Sequence, residues 1–160
     1  MKKPLTLLLL LVGGFLFGQT DYTTIPLKTT ADCKAAEPAV LVAANFILGK
    51  PLNDKDVKDP EAFVLTWMTN TEYSFMVDNK ISKLEKGNKN LLFVYMSCQA
   101  KYLLENVDKA KDQNAIAVGA YSLLADYVSN AANGVKMNKD IQKLIDAKKN
   151  GKIQEWLDQK

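Results

Sequence analysis

Residues 90–107 read NLLFVYMSCQAKYLLENV, and this stretch decides the fold class. Leu91 to Met96 is unbroken apolar sequence. The polar residues Ser97, Lys101 and Glu105 then recur every fourth position, which lays them in one narrow stripe along a helix. A helix apolar on its remaining sides has to be covered by neighbours. Asn90–Val107 is therefore expected at the centre of an all-α protein.

The flanking sequence supplies the cover. On the C-terminal side, Asn114–Ala132 is amphipathic: Ser122, Asp126, Ser129, Asn130 and Asn133 form one polar face, and Asn133-Gly134 ends the helix. Ala115, Ala117, Gly119 and Ala120 are small and are expected to let a neighbouring backbone approach closely. Two short helices follow. Ile141, Leu144 and Ile145 mark one over Lys139–Lys149, and Ile153, Trp156 and Leu157 mark another over Gly151–Gln159. On the N-terminal side, Glu37–Leu48 opens with Pro38 in its first turn and stops at Gly49 and Pro51. Asn45 is its one clearly polar residue between those limits, so this helix too is expected to be buried nearly all round. Asp59-Pro60-Glu61 reads as a cap, a first-turn proline and a dipole partner for a helix carrying Phe63, Val64, Trp67 and Met68. Asn79–Lys86 reads as a short helix ended by Gly87, and Tyr73–Val77 as an irregular or extended link.

The sum is six to seven helices with no alternating strand pattern, an all-α compact bundle or short stack of antiparallel helical hairpins. The tetratricopeptide signature is absent, as is any period near roughly 34 residues.

The chain of 160 residues divides into three parts. Residues 1–18 read as a signal peptide: Lys2 and Lys3 supply the positive start, Leu5 to Phe17 the short apolar run, and Phe17-Gly18-Gln19 the exit. That run is too short to span a bilayer, which takes about 20 residues. No cysteine follows it directly, so a lipid anchor is not expected. Residues 19–34 read as an extended N-terminal arm and 35–160 as a single helical domain. The expected location is periplasmic or secreted, with no integral membrane segment after cleavage.

Composition restricts the chemistry. All 21 cations are lysine, and histidine is absent. Without histidine there is no Ser–His or Cys–His nucleophile and no histidine metal site. Without arginine there is no bidentate phosphate or carboxylate clamp. Losing two lysines and no acid with the signal takes the net charge from +3 to +1, no footprint for nucleic acid. The frequent asparagines, like the missing arginines, read as the mark of an AT-rich genome.

The remaining constellations are structural. With Asp54 as the first position, Asn53–Asp59 has lysine, aspartate and leucine (Lys58, Asp59, Leu65) where a calcium loop needs a ligand, glycine and glutamate. Asp126 and Glu105 lie on different helices, so paired-carboxylate hydrolysis is the weakest of the functional readings. Cys33 and Cys98 either form a disulfide, which an exported compartment permits, or stay as buried thiols. Trp67, Tyr73 and Phe75 are the groove candidates: aromatics on an irregular link beside a helix could hold a peptide or an apolar ligand. No metal site and no cofactor is expected.

Lys2-Lys3, Phe17-Gly18-Gln19, Glu37-Pro38, Asp59-Pro60-Glu61 before Trp67-Met68, and Tyr102-Leu103-Leu104-Glu105-Asn106 together resemble small, uncharacterised exported helical proteins of Bacteroidota. The resemblance implies an envelope location; it carries over no activity and no site residues. The expectation is a non-catalytic interaction module for an envelope protein or peptide, with a carrier of a small apolar ligand as the alternative.

Overall fold

The computed structural model describes residues 20–159; the signal segment 1–18 lies outside them. Among the described residues there are seven α-helices and no strand: α1 Thr30–Leu48, α2 Lys58–Asn70, α3 Asn79–Leu84, α4 Leu91–Glu105, α5 Gln113–Ser129, α6 Lys139–Lys149 and α7 Ile153–Asp158. None of the described helices is long and apolar enough to cross a membrane.

The apolar run after Asn90 is α4, and it occupies the middle. It packs along α1 on one side and α5 on the other, and also touches α2 and α3. α2 lies against α1, while α6 and α7 lie against α5. Two apolar clusters result. Leu91, Val94, Tyr95 and Cys98 of α4 join α3, α5, α6 and α7 in the larger one. Ala100 and Leu103 of α4 join the arm, α1, α2 and Ile116 in the other, and Met96 borders both. Leu84, Leu91, Leu103, Leu124 and Leu144 are fully buried, each contributing about 2 kcal/mol by leaving water.

α4 and α5 approach closely at Gly119. A Cβ added at Gly119 would lie 2.1 Å from the Tyr102 ring. The small residues of α5 therefore admit an aromatic side chain rather than a neighbouring backbone.

Four expectations need correction. First, α1 begins at Thr30, inside the segment read as an extended arm. Thr29 and Asp32 form a capping box, with the Thr29 hydroxyl accepting from Asp32 N at 3.1 Å and the Asp32 carboxylate accepting from Thr29 N at 2.9 Å. Pro38 thus lies inside the helix, where its ring removes the hydrogen bond to Lys34. The cost is contained because Pro38 faces solvent, where water can take the Lys34 carbonyl that it leaves unpaired. Second, α1 is not buried all round. Ala35, Pro38, Val42 and Phe46 form an exposed stripe, with Val42 52% exposed. Third, Asp59 does not cap α2. Asp54 caps a 3-10 turn at Lys55–Val57 that runs directly into α2, leaving Asp59 in the first helical turn. Fourth, Ser97 and Asn133, read as solvent-facing, are buried and bonded to backbone carbonyls: Ser97 to Phe93 at 2.9 Å and Asn133 to Tyr127 at 2.8 Å.

Candidate functional site

The residues ahead of α1 form a short arm laid along α2. The arm turns once, as a 3-10 helix over Tyr22–Thr24. Asp21 organises that turn by accepting from the Thr23 amide at 3.0 Å and the Thr23 hydroxyl at 2.6 Å, which holds its carboxyl below the ordinary value. At the other end, the Asp32 carboxylate accepts from Lys28 N and Thr29 N, and those bonds likewise keep it low.

Apolar contacts attach the arm to the bundle. The Tyr22 ring lies tilted on Phe63 with centroids 4.9 Å apart, and partial burial raises its hydroxyl pKa. Leu27 is buried, and its carbonyl accepts from the Cys33 thiol at 3.9 Å. Among the described residues, every hydrogen bond of Asp21–Lys28 is to the arm itself or to the start of α1. None reaches α2.

A trough of about 750 Å³ runs between arm and helix. One wall is Tyr22–Lys28; the other is Asp59, Ala62, Phe63, Thr66 and Asn70. Its floor is apolar and its rim carries hydroxyls and an amide. Thr23, Thr24, Pro26, Ala62, Thr66 and Asn70 are exposed, so the space is an open channel and not a closed cavity. Asp59 is its one carboxylate.

The structure brings Trp67, Tyr73 and Phe75 together, but as filler. Both rings stack against the Trp67 indole, at 5.9 and 5.8 Å. Trp67 has no exposed surface and its N–H is taken by Cys33. The Tyr73 hydroxyl accepts from Lys34 at 3.1 Å and donates to Glu37 at 2.9 Å. None of the three lines the trough. Cys33 and Cys98 are free thiols in different clusters, so the disulfide alternative is not the one the structure takes. Burial pushes both thiols up, away from the reactive thiolate. Glu105 pairs with Lys101 at 2.5 Å, and Asp126 with Lys148, so each carboxylate has its own lysine. Among the described residues no group of acids and cysteines is placed to hold a metal.

A second polar cluster lies in the larger core. Tyr121 donates to Asp78 at 2.6 Å and stacks on Tyr95 and Trp156 at 4.5 and 5.0 Å. Lys80 donates to the carbonyls of Trp156 and Gln159 and sits 4.7 Å above the Trp156 ring. Burial raises both tyrosines and lowers Lys80. Asp78 also caps α3 by accepting from Lys80 N and Ile81 N. A carboxylate holding three donors is committed to structure and not poised as a base.

Sequence reasoning missed the side-chain amides. Asn88 is buried and pairs with both backbone groups of Lys136, donating at 2.9 Å and accepting at 2.7 Å. Gln99 does the same for Met76, at 3.1 and 3.3 Å. Asn138 donates toward the carbonyls of Lys83, Leu84 and Lys86 that close α3.

No family model, curated protein or solved structure matches the chain.

Proposed function

We infer that the protein is a non-catalytic, exported interaction module that binds a protein or peptide partner in the cell envelope. The observation that carries this reading is the trough along α2. It is open, mostly uncharged and apolar-floored, shaped for a chain segment laid across the surface. A carrier of a small apolar ligand would enclose most of its cargo, and here six rim residues stand exposed. A hydrolase working by two acids needs a second carboxylate about 5–9 Å from the first, and the trough offers Asp59 alone. The exposed stripe on α1 adds apolar surface of the same kind.

The test is photo-crosslinking in the native host, with a photoreactive residue at Ala62 or Thr66 in the trough and a control at Lys143 on the outside of α6. A discrete protein adduct at the trough positions, absent at the control, is the expected result. Identical patterns at all three positions would remove the reading. Copurification of a stoichiometric apolar small molecule would transfer it to the carrier alternative.

A further inference from the structure

The partner reading leaves open what kind of segment the trough takes, and its geometry narrows this. The two walls run side by side. Tyr22 stacks on Phe63, while Leu27 touches Cys33, whose carbonyl holds Trp67. The arm therefore follows α2 in the same direction, with Tyr22 near the start of the helix and Lys28 near its end. Asp59 lies one turn before Phe63, at the Tyr22 end. The lining thus places one charge of opposite sign toward each end: Asp59 at one, Lys28 at the other, with the Asp32 carboxylate of the α1 cap close enough to feel the Lys28 charge. Asp59 and Lys28 are exposed, and neither takes part in an ion pair among the described residues. Between them the lining is neutral.

The length follows from the helix. Asp59 to Asn70 spans about 16 Å at the α-helical rise, which matches about five residues of extended chain. The arm wall is of a different kind from the α2 wall. It is fastened to the bundle by the apolar side chains of Tyr22, Ile25 and Leu27 and, among the described residues, by no hydrogen bond to α2. It can shift relative to α2 without breaking a polar bond, pivoting where Asp32 grips Lys28 and Thr29.

We propose that the arm and α2 are the two jaws of a clamp for an extended, uncharged, largely apolar segment of about five residues, flanked by a basic residue at the Asp59 end and an acidic residue at the Lys28 end. The proposal rests on the interaction reading, and its test separates the two. The probe is a fluorescein-labelled peptide with five alternating valines and threonines between a lysine and a glutamate, titrated by anisotropy against the full mature chain.

Asp59→Lys is expected to weaken this peptide up to about fivefold, the usual strength of an exposed charge pair, and to favour a peptide with glutamate at both ends. Tyr22→Ala releases the arm wall from Phe63 and is expected to weaken every peptide about tenfold, since a buried aromatic anchor is among the costliest interface losses. Circular dichroism on the same samples should show the helices intact. Tighter binding by Tyr22→Ala would mean that the arm competes for the seat, and would overturn the clamp. Unchanged affinity in Tyr22→Ala, or the same affinity for all end charges, would also overturn it. In those cases crosslinks at Ala62 would leave the interaction reading standing. Absence of those crosslinks removes the reading itself.

Discussion

The molecule holds its irregular segments in two different ways. The links before α3 and before α6 are gripped by buried amides: Gln99 takes both backbone groups of Met76, and Asn88 takes both of Lys136. The arm, by contrast, is seated by the side chains of Tyr22, Ile25 and Leu27, and its polar bonds stay within itself and the first turn of α1. The difference lies in what release costs. A buried amide pair that loses one partner leaves donors and acceptors unpaired away from water. An apolar contact that opens exposes area and breaks nothing directional. The first arrangement fixes a link; the second lets a segment leave and return.

The largest expected effect tests the amide grip. Asn88→Ala orphans the amide and carbonyl of Lys136 and should destabilise the protein by about 3 kcal/mol. At this chain size that is a fall in melting temperature of about 6–12 °C, measured by circular dichroism. A loss below about 1 kcal/mol would mean that water replaces the side chain, and would erase the contrast.

Tyr22→Ala probes the other side. Its global effect should be about 1 kcal/mol or less, because the arm covers only the outer edge of α2. Hydrogen exchange should instead show the amides of Thr23, Thr24, Ile25 and Lys28 losing their protection while those of α4 keep theirs. Equal loss in α4 would show that the arm belongs to the cooperative core.

The smallest effect is with acid. Hydrogen bonds hold Asp32 and Asp21 below their ordinary values in the folded chain. A depressed carboxyl gives stability that is present above its unfolded value and lost as pH falls through the folded one. The arm should therefore loosen below about pH 4. The amide-gripped links contain no titrating group in the grip and should not respond. Exchange measured at pH 5 and pH 3 compares the two directly, and parallel loosening of residues 76 and 136 would contradict it.

Much of this architecture was legible in the sequence. Where a helix announces itself by period and terminator, as α4, α5 and α6 do, the expected and observed spans agree within a few residues. α1 was placed late because Pro38 reads as a first-turn proline, and because the capping box uses Asp32 where the pattern asks for Glu or Gln. Nothing local shows that Pro38 will face solvent and be tolerated. The aromatic trio was found by residue type, but type does not distinguish filling from lining; the space around Trp67 decides that. The amide grips left no trace at all. Asn88 and Lys136 are 48 positions apart, and an asparagine bonded to a distant backbone looks the same as one set in the chain by codon bias. The trough was hidden for a related reason: threonine, alanine and proline carry no chemical signature until two segments run side by side.

Gly119 and Tyr102 set how α4 and α5 engage. The ring occupies the one notch on α5, which makes the seam between α4 and α5 a toothed contact and not a sliding one. A slip of one helical turn would bring Ala115 or Leu123 against the ring, and both carry the Cβ that the notch lacks. Packed seams of this kind move in whole steps or not at all. The interlock therefore opposes sliding of α5 along α4, and the seam between the two central helices keeps its register.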